Sequence, residues 1–179
     1  MEIKNHKIYL GSKSADFLAK KFGMPLYVYE ADLIKKRYQD FLSNIKYKNL
    51  NIHYSCKANS NIEILKVLKK EGCNIETVSE GEVRLALKAG FKPDQIIFTC
   101  ANIDTNEMKF LVRNNILMNL DSFNQIAEYG KLNAGGKIGI RINQGFGSGH
   151  HEHCITGGKE SKFGIYFSQV KEAKKIAQR

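Results

Sequence analysis

One lysine of this sequence lies where a reactive amine could work. Lys57 follows the run NIHYSC at residues 51–56 and precedes a helix-start signal at Ser60, so it closes a predicted strand. In parallel β/α folds the loops after the strands gather at one mouth, and we expect the Lys57 side chain to point there. Burial beside other cations favours the neutral amine, which attacks carbonyl carbons to form Schiff bases. A lysine that reaches solvent from the strand end is the alternative interpretation.

Arg141 closes a second predicted strand, at residues 137–143. Because side chains alternate along a strand, its guanidinium should point away from the side chains of Ile140 and Ile142. There it could bind an anionic or phenolic oxygen of a ligand. The alternative is a structural partner for a neighbouring carboxylate.

The segment at residues 143–163 has neither helical nor strand periodicity. Long loops of this kind in compact domains are usually functional or disordered. The spacing of Gly145, Gly147 and Gly149 does not match GxGxxG, and Glu160 stands where a P-loop needs Ser or Thr. Both nucleotide-binding interpretations therefore fail.

This loop also contains a run of side chains that can bind zinc. The run is His150, His151, Glu152, His153 and Cys154. Adjacent loop residues rarely converge on one tetrahedral ion, and no HExxH helix or distant second ligand pair accompanies them. We expect no metal site, and we expect the histidines to serve the mouth of the fold.

A regular repeat of strands and helices must position these residues. Short β-branched or apolar runs begin near five isoleucines at intervals of 23, 21, 20 and 22 residues: Ile52, Ile75, Ile96, Ile116 and Ile138. Between them lie helical patterns that open with capping boxes, in which an oxygen caps the first turn and a later acid or amide reaches back. The pairs are Ser60 with Glu63, Ser79 with Glu82, Asp104 with Glu107, and Ser122 with Gln125.

Strand and helix alternation at this period predicts an α/β fold with a parallel sheet. The uniform period, and the absence of a GxGxxG turn after the first strand, favour a (β/α)8 TIM barrel over an open doubly wound sheet. A complete barrel takes about 250 residues, and only five regular strands precede the final helix at about residues 168–179. We therefore expect a partial barrel with two unpaired edges, which a partner or a longer chain would complete.

Before the repeat, residues 26–30 are predicted to form a short extended piece. A helix follows, and one of its faces carries an apolar stripe that we expect to pack in the core. The stripe consists of Ile34, Tyr38, Phe41, Leu42 and Ile45.

Composition excludes several other classes of protein. The 179 residues are 42% hydrophobic and 26% charged, which is typical of a folded soluble chain. The net charge is +10, but 23 of the 28 basic residues are scattered lysines, so we expect no nucleic-acid partner. No membrane span or signal peptide is evident, and the four cysteines form no CxxC pair, which together indicate the cytoplasm.

Four sequence stretches resemble the pyridoxal-phosphate decarboxylases that are built on an alanine-racemase-like barrel. They are HYSCKANSN at residues 53–61, ETVSEGE at 76–82, RINQGFGSGH at 141–150 and TGGKESKFGI at 156–165. The last two sharpen the resemblance to the diaminopimelate decarboxylase group of this family, and the similarity extends over residues 24–167. Two positions depart from the family pattern: Gln144 stands where Pro is common, and Glu76 stands where Asp is frequent.

The resemblance implies a cofactor and a division into domains. Lys57 would hold pyridoxal 5'-phosphate covalently, Arg141 would lie near the cofactor ring, and His150 corresponds to a loop histidine of unassigned role. The chain would consist of an N-terminal segment, residues 1–25, and an incomplete pyridoxal-phosphate-binding barrel, residues 26–179. The remaining strands, with their His-x-Gly-Ser phosphate-binding segment, and the C-terminal β-domain of a homodimer would be absent.

The implied reaction is decarboxylation of meso-2,6-diaminopimelate to L-lysine by the full-length protein, with weak or no activity in the 179-residue chain. One alternative is a decarboxylase of the same fold that acts on carboxynorspermidine, ornithine or arginine. Another is a non-catalytic member that binds the cofactor or a partner protein.

Overall fold

The N-terminal unit of the structure contains a small antiparallel sheet and two helices. In this computed structural model, which describes residues 1–151 and 155–178, contacts divide the chain into Met1–Leu50 and Asn51–Arg179. Strands β1 (Glu2–Lys4), β2 (Lys7–Leu10) and β3 (Lys13–Ser14) pair in that order, and helices α1 (Ala15–Phe22) and α2 (Ala31–Asn44) follow. Our division of the chain at residues 25 and 26 stays a prediction.

Two expectations for this unit are met only in part. Residues 26–30 belong to no strand ladder, although Glu30 at their end has an extended backbone. Helix α2 forms where we predicted it, and Tyr38 on its apolar stripe is 8% exposed. Phe41 on the same stripe is 57% exposed, so the stripe is not fully packed in the core of this chain.

The C-terminal unit is built on five parallel strands that follow the predicted period. They are β4 (His53–Ser55), β5 (Asn74–Thr77), β6 (Ile96–Thr99), β7 (Leu117–Leu120) and β8 (Ile138–Ile140). Each strand pairs in parallel with its neighbour in the sequence, so the order across the sheet is β4-β5-β6-β7-β8. The predicted α/β fold with a parallel sheet is therefore confirmed.

Five helices accompany this sheet in the described residues. They are α3 (Ile62–Lys70), α4 (Glu80–Ala89), α5 (Thr105–Arg113), α6 (Phe123–Leu132) and α7 (Val170–Ala177). The last of these begins two residues later than predicted, after a turn of 3-10 helix at Phe167–Gln169. In the part of the chain that the structure describes, no helix combines the length and apolar composition needed to cross a bilayer.

Three of the four predicted caps start the helices that we assigned to them. Ser79, Asp104 and Ser122 each accept a hydrogen bond from the backbone N–H three residues later. The prediction for α3 is wrong by one residue, because its cap is Asn61, whose carboxamide oxygen accepts from the N–H of Glu63 at 2.9 Å. An Asn side chain can accept from the N–H two residues later, as Asn61 does here, so the helix begins after Asn61 and Ser60 lies outside it.

The two faces of the five-stranded sheet differ in burial. On one face, strand residues such as Ile75, Phe98 and Met118 pack with helix residues such as Leu65 and Leu111 in a single core. Burial of this apolar surface is the main favourable term in folding of this unit. We call this side the helix face of the sheet.

The alternate strand residues line the opposite face, which we call the open face. Register places the side chains of Ser55, Glu76 and Ile97 in one row across it. Most of its residues are half-buried, and Leu117 is exposed. In a closed barrel this face would be the interior.

A separate pair of short parallel strands follows the five that the sequence pattern revealed. After β8 the backbone of Arg141 passes directly into β9 (Ile142–Asn143), which pairs in parallel with β10 (Ile165–Tyr166). The N–H of Ile165 donates to the carbonyl oxygen of Arg141 at 2.8 Å, so the pairing starts at Arg141. The ends of the predicted 143–163 loop are therefore ordered strand pairs.

Two nearby glycines should respond to alanine with opposite signs. Gly130 lies inside α6 with nothing within 4 Å of an added Cβ, so Gly130→Ala should stabilise the chain by about 0.5–1 kcal/mol. Gly135 has equally open surroundings but a φ of +77°, so Gly135→Ala should destabilise it by about 1 kcal/mol. Urea unfolding of both variants measures the difference. Equal effects would contradict the helical assignment of Gly130.

Candidate functional site

All five long strands point their carboxyl ends toward the same edge of the sheet, because they are parallel. Functional residues of β/α folds gather at this edge. Lys57 follows β4 and Arg141 follows β8, so both predicted site residues lie there.

A single turn of 3-10 helix, Cys56–Ala58, presents Lys57. Cys56 is 0% exposed and packs in the core, whereas the next residue, Lys57, is exposed. The hydroxyl of Tyr54 donates to the carbonyl oxygen of Asn59 at 3.2 Å and closes the turn. The Asn59 carboxamide oxygen then accepts from the N–H of Asn61 at 3.0 Å, which leads the chain into α3.

The expected burial of Lys57 is not present in this chain. Lys57 is exposed, so the alternative of a lysine that reaches solvent describes the structure better. The expectation that it lies at the carboxyl edge holds. The exposed position leaves the amine accessible to a carbonyl compound.

Arg141 is held by its own loop. One of its terminal nitrogens donates to the carbonyl oxygen of Thr156 at 3.3 Å, and its guanidinium carbon lies 4.7 Å from the centre of the Phe163 ring. Among the described residues no carboxylate forms an ion pair with it, so the structural alternative of a carboxylate partner is not what this chain shows. Toward the described residues the guanidinium donates this one hydrogen bond, and several of its five N–H donors are left there for another group.

Lys57 and Arg141 follow the two outer strands of the five-stranded sheet. Four strand spacings separate them, which is about 19 Å along a flat sheet and less along a curved one. No hydrogen bond joins their side chains in the residues that the structure describes. The fold brings them to one edge without direct contact.

Polar side chains line the open face between these two residues. The hydroxyl of Ser55 donates to the carboxylate of Glu76, and the amide nitrogen of Asn119 donates to the hydroxyl of Thr99 at 3.0 Å. Gly139 allows this arrangement, because a Cβ at that position would overlap the Asn119 side-chain oxygen. Sequence reasoning missed these pairs, although the period-two alternation of polar residues along the strands is a signal that could have revealed them.

His53 lies on the same face, two residues before Ser55. Burial of its imidazole lowers the pKa of His53, and the carboxylate of Glu76 opposes that change by favouring the protonated form. Because the first effect is larger, His53 is held toward its neutral state beside the Glu76 carboxylate.

Cys56 adjoins Lys57 but is not a second nucleophile. Burial raises the pKa of the Cys56 thiol to about 11, and the Glu82 carboxylate adds to the rise. We predict that Cys56 resists alkylation at pH 8 in the folded chain, because only about 0.1% of a thiol with this pKa is thiolate. Residue-resolved mass spectrometry after iodoacetamide treatment checks this, with urea-unfolded chain as the control. Equal labelling in both states would show the prediction wrong.

The prediction for the histidine run can be compared with the structure only at His150 and His151. His150 and His151 are exposed, and Glu152, His153 and Cys154 lie outside the described residues. Among residues 1–151 and 155–178 no three His, Cys, Asp or Glu side chains form a group that could bind a metal ion. The expectation that these histidines serve the mouth stays a prediction.

Comparison with known proteins identifies the family of this chain. Residues 31–179 match the family model described as the pyridoxal-dependent decarboxylase, pyridoxal binding domain. The chain belongs to this family. Its parallel sheet and helices are therefore part of the pyridoxal-binding barrel of these decarboxylases, as the resemblance implied.

Three relatives are named diaminopimelate decarboxylase. Diaminopimelate decarboxylase from Methanothermobacter thermautotrophicus is 37% identical over 177 residues, which are 97% of this chain and 41% of that protein. The enzyme of the same name from Escherichia coli K12 is 32% identical over 90% of this chain and 38% of its own. The crystal structure of diaminopimelate decarboxylase from Helicobacter pylori with L-lysine superposes with a TM-score of 0.84 and 31% identity, covering 88% of this chain and 41% of that one. The chain thus spans about two fifths of the length of these relatives.

The residues at the carboxyl edge have the chemical groups that pyridoxal phosphate needs for binding. The aldehyde of this cofactor needs a primary amine, and Lys57 offers an accessible one in a fixed turn. The anionic and phenolic oxygens of the cofactor need cations or N–H donors, and the guanidinium of Arg141 has N–H groups that do not bond to the described residues. We predict that Lys57 would hold the cofactor and that Arg141 would assist.

Proposed function

We propose that this chain forms the cofactor-anchoring part of a diaminopimelate decarboxylase, which converts meso-2,6-diaminopimelate to L-lysine. The observation that carries the proposal is the exposed amine of Lys57 at the carboxyl edge of a sheet that belongs to the pyridoxal-binding family. The shared name of its relatives supports the choice of substrate. The chain spans about two fifths of their length, so the proposal concerns this sequence in a chain as long as these relatives.

Each residue of the site has a limited task in this proposal. When bound, pyridoxal phosphate supplies an electron-withdrawing ring that accepts the electron pair freed as carbon dioxide departs. The amine of Lys57 would hold the cofactor through the aldehyde carbon, and the exposed turn would leave that amine accessible from solvent. The guanidinium of Arg141 binds an anionic or phenolic oxygen and keeps the ligand oriented at the edge of the sheet.

We also propose the setting in which this enzyme acts. Cys56, Cys73 and Cys100 are free thiols, which suits the reducing cytoplasm that the cysteine spacing indicated. The resemblance further supports a homodimer when the chain is as long as its relatives, with an amino acid as substrate and neither nucleic acid nor membrane as partner. For the 179-residue chain alone we expect weak or no decarboxylation.

Reductive labelling tests the anchoring role of Lys57. The chain is incubated with one equivalent of pyridoxal phosphate, reduced with borohydride and digested, and the adduct is located by mass. Since the chain has 23 lysines, the control is the same reaction in urea, where exposed lysines compete without a folded site. We expect most of the adduct on Lys57 in the folded chain and an even spread in urea. An even spread in both states would remove the proposal.

Substrate choice is tested by carbon dioxide release from a panel of amino acids. The panel contains meso-diaminopimelate, ornithine, arginine and carboxynorspermidine, and the enzyme is this sequence in a chain as long as its relatives. We expect release from meso-diaminopimelate at the highest kcat/KM. Faster release from another member would reassign the substrate, and cofactor binding with no release from any would support the non-catalytic alternative.

A further inference from the structure

The side chain of Asn143 is the most heavily bonded group in the described part of the 143–163 loop. It is only 3% exposed, and all of its polar atoms are used inside the loop. Its carboxamide oxygen accepts from the N–H groups of Gly145, at 2.9 Å, and Gly158, at 3.1 Å. Its amide nitrogen donates to the carbonyl oxygen of Gly158 at 2.9 Å.

These bonds join two arms of the loop, which we define as residues 144–148 and residues 155–158. The arms meet backbone to backbone, because a Cβ on Gly147 would lie 2.5 Å from the carbonyl oxygen of Gly157. In the reverse direction, a Cβ on Gly157 would lie 2.8 Å from the carbonyl oxygen of Phe146. Asn143 therefore fastens a contact that only glycine permits at either position.

The second arm also supplies the hydrogen-bond partner of Arg141. The carbonyl oxygen of Thr156, one residue before Gly157, accepts from the guanidinium, while the Phe163 ring lies beneath it. Between the arms and Arg141 lies a cavity of about 240 Å³. Its lining includes the polar residues Gln144, Ser148 and Thr156 beside apolar ones such as Phe163. The position of the guanidinium at this cavity thus depends on where the second arm is held.

We propose that Asn143 is a positioning residue that holds Arg141 ready for an anionic oxygen of bound pyridoxal phosphate. It acts through the second arm: the carboxamide fixes Gly158, Gly158 fixes Thr156, and Thr156 orients the guanidinium. The inference rests on the proposed function, because it assumes that the cofactor is anchored at Lys57. The dependence of the second arm on Asn143 does not require that assumption, and it can be measured without cofactor.

Hydrogen exchange on the 179-residue chain without cofactor tests that part. In the wild-type chain the amides of Gly145 and Gly158 should be protected, and in Asn143→Ala both should exchange at least about tenfold faster, since each loses its acceptor. Asn143→Asp keeps an acceptor for both amides and should restore most of the protection. The matched control is Asn133→Ala, which removes a 2.8 Å bond to the hydroxyl of Tyr129 and should leave both amides unchanged. Wild-type exchange in Asn143→Ala would overturn the inference.

A double-mutant cycle on cofactor affinity tests the link to Arg141. Asn143→Ala should raise the Kd of pyridoxal phosphate about tenfold, measured from the absorbance of the bound form, while borohydride still places the label on Lys57. In an Arg141→Ala background, Asn143→Ala should change the Kd by less than about twofold, because the guanidinium that it positions is gone. Equal effects of Asn143→Ala in both backgrounds would overturn the link. Absence of Lys57 labelling in the wild type would instead contradict the proposed function and leave the exchange result to stand.

Discussion

Lys57→Ala should abolish site-specific attachment of pyridoxal phosphate to this chain. The amine is the only part of residue 57 that can bond to the aldehyde, and alanine provides none. After borohydride reduction we expect the adduct to fall to the background shared among the other lysines. The fold should survive, because Lys57 is exposed and the structure shows no hydrogen bond to its amine in the described residues. The free energy of unfolding should change by less than about 0.5 kcal/mol.

Two further variants separate the amine from its charge. Lys57→Arg keeps a cation at the turn but removes the nucleophilic amine, so it should lose the adduct as completely as Lys57→Ala. Lys70→Ala removes an exposed lysine from the end of α3 and should leave the Lys57 adduct unchanged. If Lys57→Ala formed an adduct at another residue as fast as the wild type forms one at Lys57, that other residue would be the anchor. In a chain as long as the relatives, loss of the adduct should coincide with loss of carbon dioxide release.

The strand pattern was predictable because it depends on local chemistry. Isoleucines at residues 52, 75, 96, 116 and 138 start runs whose apolar side chains are buried on the helix face in the three central strands and partly buried in the two outer ones. The period between the runs leaves room for one helix each. Caps at Ser79, Asp104 and Ser122 were predictable for the same reason, since a cap bonds to a backbone N–H three residues away. Lys57 at the carboxyl edge follows directly from the position of β4.

The partners of the capping acids and amides were less predictable. The carboxylate of Glu107 was expected to reach back to its own cap, but it accepts from the N–H of Glu80 at 2.6 Å, at the start of α4. Gln125 accepts from the N–H of Asp121 and also donates to the carbonyl oxygens of Cys100 and Ala101. Each side chain thus links neighbouring β/α units, and a pattern within four residues cannot indicate a partner 24 to 27 residues away.

The features of the site that the sequence did not reveal also depend on residues far apart in the chain. Strand β10 pairs with β9 through only two residues of each strand, and the paired residues are 23 positions apart in the sequence, so no periodicity marks it. The exposure of Lys57 depends on whether other chain segments cover the open face, which its neighbours in sequence do not reveal. The Asn143 carboxamide bonds to a glycine 15 residues away, and this contact requires the close approach of two loop arms.

Phe98→Ala should cause the largest loss of stability among the substitutions considered. Phe98 is 1% exposed and is the largest fully buried side chain of the core on the helix face. Truncation removes apolar burial and leaves a cavity, which costs about 3–5 kcal/mol. Urea unfolding followed by circular dichroism measures the loss, which should appear as a lower midpoint at an unchanged m value.

Ile97→Ala is the matched control, because Ile97 adjoins Phe98 on β6 but points to the open face. Its side chain is half-buried in this chain, so truncation should cost less than about 1.5 kcal/mol. Costs of equal size at the two positions would contradict the difference between the faces, since they require Ile97 to be packed as tightly as Phe98. The open face is where Glu76, Thr99 and Asn119 present their polar groups. A low cost at Ile97 would therefore show that the interior of the barrel is accessible from the side in this chain.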